Sequence, residues 1–415
     1  MVHENASAAS ELAAEMVELA DDFYHDPHAV YDRLRSRGPV HHVRLPDSTT
    51  GWLITDYEVA KAAFTDPAIS KALKSSGGRA ALASHGGDQH VQSGMFKDMM
   101  VFCDPPEHTR LRALVNRAFG SRAVRELEPR ITEIADSLLA SMAVKAGDVH
   151  DLLDDYANPL GMMVICELLG VPHQDRDSFR GWSTILLSSE QTNEARTTAV
   201  QKFIGYIDQL IHSKGAAPGH DLLSALLTEG EQGDRLTHRE LISMVFLLLV
   251  AGFETTVNLI GNAVSILLAD NDLRRQLLDD PGRITPFVEE VLRYESPATE
   301  ATFRYTAAST ILGGVEIPAG QLILVSMCAA DRDPHRFPDP HRFDINRPNS
   351  HHHLAFGGGI HRCVGAPLAR SEAVIALSRL LGEYPEFHLA DSPDLQWRKS
   401  LIVRGLVNLS VQLRP

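Results

Sequence analysis

Cys363 stands in the loop Phe356-Gly357-Gly358-Gly359-Ile360-His361-Arg362-Cys363-Val364-Gly365, and a helix-like run from Ala366 to Leu381 follows it. A thiolate placed just ahead of a helix is favoured by the helix dipole and by free backbone N–H groups. The glycines let a bulky flat partner approach the backbone closely. No second cysteine lies near by in the chain, so zinc or an iron–sulfur cluster fits poorly and a single thiolate offered to haem iron fits better. The plain alternative is a buried free cysteine that packs as a small apolar group.

A second group of reactive types lies at Ala251-Gly252-Phe253-Glu254-Thr255-Thr256. Gly252, Glu254 and Thr255 interrupt an apolar helical face, where polar groups are costly unless used or paired. A glycine there is expected to thin the helix and leave room beside it. An acid next to a hydroxyl can pass protons through water. The competing possibility is that Thr255 bonds back to a carbonyl one turn earlier while Glu254 pairs with a distant base. Glu290 and Arg293, three apart, share a helix face, and Arg342 in Pro340-His341-Arg342-Phe343 is expected to complete a triad with them. Losing one partner of such a buried network costs ~3–5 kcal/mol, so these three read as structural. The His351-His352-His353 run lacks a defined metal geometry and reads as a solvated loop.

The elements that must position these residues are mostly helical. The 3.6-residue period predicts helices over 109–119, 124–142, 156–169, 175–188, 194–213, 237–269, 272–278 and 286–294. Val40 to Leu45 and Trp52 to Thr55 read as a hairpin around Pro46-Asp47-Ser48, and 310–326 and 395–413 alternate like strands. Residues 74–94 read as a long loop and Gly215 to Gly219 as a linker.

The chain has 415 residues, 44% hydrophobic and 22% charged, with a net charge of -15. That composition is globular, and the acidic balance argues against nucleic acid as a partner. Cys103, Cys166, Cys328 and Cys363 show no disulfide or metal spacing, which favours a reducing cytoplasm. The N-terminus shows no signal sequence, residues 1–21 are expected to be poorly ordered, and the longest apolar run, Met244 to Phe253, falls short of the ~20 residues that span a bilayer. No strand-linked Gly-x-Gly-x-x-Gly marks a flavin or nicotinamide site, so electrons have to come from another protein.

The cysteine loop resembles the haem-binding signature of the cytochrome P450 family, the haem-thiolate monooxygenases. Asp104 to Arg112, Ala251 to Thr256, Glu290 to Arg293, Gly314 to Gly320 and Asp331 to Pro334 match the family in the same order, and the likeness runs from about Asp22 to the C-terminus. In flavour it is similar to soluble actinobacterial enzymes that hydroxylate macrolides and other polyketides. The resemblance implies a mainly α fold with small β-sheets and a single domain over 22–415, with haem b between a long central helix and the cysteine loop. It implies Cys363 as axial ligand of the iron, Glu254 and Thr255 as proton relay, and His108, Arg112, Arg304 and His361 as propionate contacts. Gly252, Phe356, Gly357 and Gly365 would complete the cofactor site. The activity implied is insertion of one oxygen atom of O2 into a bulky apolar substrate, by a monomer with no membrane anchor, fed by a small acidic ferredoxin and its reductase. The ferredoxin would dock on Arg110, Arg112, Arg117, Arg122, Arg362 and Arg370. A peroxide-using or nitric-oxide-reducing relative and a non-catalytic haem sensor are the rival functions.

Overall fold

The computed structural model describes residues 16–46, 48–72, 99–144, 149–187, 192–228, 235–390 and 395–414. The expected loop at 74–94 therefore lies outside the described residues. The chain divides into two compact units, one built from 1–93, 261–363 and 392–408, the other from 94–260, 364–391 and 409–415. A single domain over 22–415 is the expectation from the sequence. The division is invisible in a linear reading because neither unit is a contiguous stretch of chain.

The first unit carries a six-stranded sheet in the order Val17–Glu18, Val40–Arg44, Thr50–Ile54, Leu322–Val325, Arg304–Thr306, Ile69–Ser70. The expected hairpin is present, with Val40 opposite Ile54 and Arg44 opposite Thr50. Successive side chains of a strand point to opposite faces. Accordingly Trp52, Ile54, Ile323 and Val325 join one apolar cluster with Tyr57, Phe64, Phe337 and Leu354. Leu53, Leu322 and Leu324 join a second with Leu19, Phe23, Tyr31 and Leu34. Because both faces are covered, Leu322–Val325 is apolar throughout rather than alternating.

Part of the N-terminus expected to be poorly ordered is in place. Val17 and Glu18 pair in parallel with Val43 and Arg44, and the Leu19 amide donates to the Arg44 carbonyl at 2.9 Å. Leu19 is buried in the second cluster, which offsets the entropy of fixing this segment. The alternating stretch 310–326 resolves into Thr310–Leu312, Val315–Ile317 and Leu322–Val325, and 395–413 into isolated bridges and the strand Ser410–Arg414.

The second unit is mainly helical. Glu107–Ala118, Ser121–Val144, Asn158–Leu169, Arg176–Leu187 and Asn193–Ala216 lie where the period places them, and Ala366–Glu383 follows the cysteine loop. Leu222–Thr228 is a helix that went unread, and Asn193–Ala216 runs into the expected linker. Tyr156 ties the unit together by donating its hydroxyl to the Ala376 carbonyl at 2.9 Å. Glu167 accepts from both Arg130 and Arg176 at 2.7 Å.

His238–Ala269, a helix of 32 residues, runs through the boundary between the two residue sets. Among the described residues it is the helix long and apolar enough to cross a membrane, yet most of its apolar window is buried inside the fold. Such burial is what a core helix that is apolar all round requires. The apolar run counted in sequence stopped at Phe253, but the helix continues beyond Glu254 and Thr255 through buried Val257, Leu259, Ile260 and Val264.

Candidate active site

Cys363, in the first unit, is exposed, whereas Cys103, Cys166 and Cys328 are buried, and none of the four is in a disulfide. Burial pushes the Cys166 thiol up to about 12 and the Cys328 thiol well above its ordinary value, so those sulfurs stay protonated and inert. The loop around Cys363 is closed by its own backbone. The Cys363 amide donates to the Phe356 carbonyl at 2.9 Å, and the Gly357 amide to that of Leu354 at 2.6 Å.

The three consecutive glycines of the loop do different work. Gly357 and Gly359 have φ of +67° and +64°, a region that side chains rarely adopt. A Cβ on Gly357 would meet nothing within 4 Å, so this glycine faces open space. On Gly359 it would run into the Phe64 carbonyl oxygen, and on Gly358 it would lie 2.8 Å from Phe64 Cδ2. Only the first is therefore free to admit a flat partner.

Arg304 lies in the same unit and is buried, at 5% exposure. Its Nη1 donates to the Thr302 carbonyl at 2.8 Å, and its guanidinium sits 4.8 Å from the centre of the Phe64 ring. Burial alone moves its pKa, down to about 10, with no carboxylate among the described residues offsetting it. It thus remains a buried cation at neutral pH, an arrangement that is costly unless an anion meets it.

In the second unit, the long helix has an opening. Residues Leu241, Met244 to Phe246, Leu248 and Leu249 are buried on one side, and Thr256 onward on the other, while Ala251 is exposed and Gly252 to Thr255 are half-buried. The Thr255 hydroxyl donates to the Ala251 carbonyl at 2.8 Å, the back-bond weighed as the alternative to a relay. Its oxygen lone pairs remain able to accept from a water. Gly252 does not supply the room expected of it: a Cβ there would point at Ile165 Cδ1, 3.0 Å away. It makes space for the helix Asn158–Leu169, and Ala251 is the residue at the opening.

His108 is buried near the start of Glu107–Ala118; Arg112, one turn on, is half-buried with its Nε donating to Asn116 at 3.0 Å. Gly365 caps Ala366–Glu383. His361 and Phe356 are half-buried in the cysteine loop.

The sequence profile of the family described as Cytochrome P450 matches residues 284–405. The chain is 46% identical over 402 residues to cytochrome P450 107B1 of Saccharopolyspora erythraea, covering 96% of this chain and 98% of that one. It is 40% identical over 399 residues to the 6-deoxyerythronolide B hydroxylase of the same organism, covering 95% and 98%. The solved structure of the ligand-free P450 monooxygenase TamI superposes with a TM-score of 0.88 at 41% identity, covering 100% and 99%. The chain belongs to the cytochrome P450 family. It is an oxidoreductase, a cytochrome P450 monooxygenase, with the mainly helical P450 fold.

A cytochrome P450 carries haem iron, and the residues present fit that group. Buried Arg304 has no carboxylate of its own among the described residues and can meet a propionate; exposed Cys363 can offer sulfur; Gly357 leaves the space a flat ring needs. Among the described residues no cluster of His, Cys, Asp and Glu could hold a further metal ion. His351 and His352 are exposed as expected, but His353 is buried, with Nε2 3.3 Å from Glu289.

The triad needs correction. Arg293 grips Glu290 through two bonds of 2.8 and 2.9 Å, both side chains fully buried, but the third member is Arg347, not Arg342. Arg347 Nε reaches Glu290 Oε1 at 3.1 Å. Arg342 turns its side chain to solvent and contributes only its carbonyl, which accepts from Arg347 at 2.9 Å and Arg293 at 3.3 Å. The chain turns between these two arginines, so only the later one points back at the acid. Its signal was there in part, since Arg347 belongs to the same short segment.

The basic docking cluster is also weaker than its sequence suggests. Arg110 is paired with Glu240, and exposed Arg122 with Glu126 at 2.8 Å. The Arg117 side chain lies outside the described residues, and Arg362 is exposed.

Proposed function

We propose that this cytochrome P450 inserts one atom of O2 into a bulky apolar substrate of macrolide or polyketide type, reducing the other atom to water with two electrons and two protons. Haem b, bound through Cys363, would supply the oxygen activation that a thiolate ligand favours. The observation that carries the proposal is the coexistence, in one unit, of exposed Cys363 with buried Arg304, which no carboxylate among the described residues neutralises. The likeness to 6-deoxyerythronolide B hydroxylase supports the substrate class.

The chain's own residues have separable tasks. Arg304, with His361 in the same unit, would orient the cofactor by its carboxylates, and the family resemblance gives Arg112 and His108 the same task. Phe356 beside the cysteine limits water at the sulfur. Glu254 and Thr255, at the opened stretch of the long helix, hold a water from which protons pass inward: Glu254 as the acid, Thr255 as acceptor through its free lone pairs. Ala251, as the exposed residue, leaves room for the substrate. A ferredoxin with its reductase, in the cytoplasm, would deliver the electrons, docking on the face that carries exposed Arg362.

The test has two stages. Reduced protein under carbon monoxide should give the red-shifted Soret band of thiolate ligation; a histidine-like band would remove Cys363 as ligand. Titration with macrolactones, steroids, terpenes and fatty acids, followed by turnover with a surrogate ferredoxin and reductase, should then yield an oxygenated macrolactone. Ligand binding with no consumption of electrons would make the protein a haem sensor instead.

A further inference from the structure

We infer that Phe64 is a positioning residue for the haem, setting the propionate-binding arginine and the cysteine loop against a single side chain. This role rests on the haem reading just given.

Phe64 is the C-cap of the helix Tyr57–Ala63 and is buried in the apolar cluster that also holds Leu354, whose carbonyl accepts from Gly357. Three contacts converge on it. The Arg304 guanidinium sits over its ring at 4.8 Å from the centre. The Gly358 backbone closes on the ring atoms, such that an added Cβ would be 2.8 Å from Cδ2 and 3.1 Å from Cγ. Gly359 closes on its carbonyl oxygen, held there by a left-handed backbone. A buried guanidinium with no carboxylate among the described residues has few ways of being held in place. Stacking on an aromatic face is one, and it leaves the N–H fork directed at a planar anion.

An aliphatic core residue of similar size would fill the volume against Gly358 but would give Arg304 no ring. That difference separates a positioning role from ordinary packing. Phe64→Leu should release haem to excess apomyoglobin roughly tenfold faster than wild type, the loss expected of a desolvated cation–π contact. Phe64→Tyr should restore retention to near the wild-type rate. In an Arg304→Gln background, Phe64→Leu should accelerate release no further. The ferric/ferrous potential of Phe64→Leu should move in step with that of Arg304→Gln, a shift that loss of packing alone does not produce.

Equal haem release from Phe64→Leu, Phe64→Tyr and wild type would overturn the role. So would an unchanged acceleration in the Arg304→Gln background. Should Phe64→Leu fail to fold, Gly358→Ala reaches the same ring from the cysteine loop, and haem release unaltered in that variant would equally overturn it. Wild-type protein that takes up no haem overturns both proposals. Wild type with a thiolate spectrum and a Phe64→Leu variant that matches it overturns this one alone.

Discussion

At the residue scale, the proposed relay asks Thr255 to serve structure and chemistry at once. Its hydroxyl proton is committed to the Ala251 carbonyl, so the relay must use its oxygen as acceptor, with water or Glu254 as the source of protons. Thr255→Ala should lower product formed per electron pair by about tenfold or more, with hydrogen peroxide making up the difference, since a positioned proton donor contributes ~10²-fold or more. The bond it loses is local, so urea denaturation should show a change within about 1 kcal/mol. Thr255→Ser, which keeps the oxygen, should stay coupled. Tight coupling in the alanine variant would reduce Thr255 to the helix-bending role that such back-bonds have. The family was legible around Cys363 because glycine and cysteine types at fixed spacing leave few alternatives. Gly252 was misread because a glycine's missing side chain has no direction in a sequence; only the position of Ile165 shows which neighbour it serves.

At the element scale, Glu290 is the point where the helix Ile284–Tyr294 meets the segment from Pro338 to Arg347. It accepts from Arg293 twice, from the Asp344 amide at 3.0 Å and from Arg347 at 3.1 Å. Arg293 also donates to the carbonyls of Asp331 and Pro340, so one guanidinium closes three pieces of chain. Arg347→Ala leaves part of a buried charge uncompensated and should cost ~3–5 kcal/mol in chemical denaturation. Arg342→Ala removes an exposed side chain whose carbonyl is kept, and should cost within ~0.5 kcal/mol. The reverse order would return the triad to Arg342. The helices were read well because a 3.6 period repeats over many residues. Which arginine reaches Glu290 was not, because irregular segments obey no period and their side-chain directions depend on each turn. Phe64 left no trace for a similar reason: an apolar residue closing a short helix looks like any other until Arg304 and Gly358 come to it.

At the scale of the whole molecule, each unit buries an acid that folding forces to keep its proton. In the first, Glu300 accepts from the Tyr31 hydroxyl at 2.8 Å, and burial pushes its pKa up to about 8. In the second, Glu372 on Ala366–Glu383 is fully buried, and burial alone takes it to about 8. A carboxyl whose folded pKa is raised binds its proton more tightly folded than unfolded. Its favourable contribution is therefore complete below the unfolded value of 4.5 and is lost as pH rises toward 8, with nothing further lost above that. His28, His41 and His42 act in the opposite sense, because burial lowers their pKa values: their contribution builds as pH rises toward 6.5, is complete above it and is lost as pH falls through the lowered values. The net curve mixes both, so the test is a difference. Glutamine keeps the shape of the protonated acid and cannot ionise, and at Glu300 its oxygen still accepts from Tyr31. Glu300→Gln and Glu372→Gln should match wild type within about 1 kcal/mol at pH 5. Each should then gain on it by a few kcal/mol by pH 9, as the wild-type carboxyl pays to ionise in a dry site. Two denaturation series across that range decide the matter: curves that run parallel to wild type would mean that water reaches these carboxyls, and that neither interior is as closed as its burial indicates.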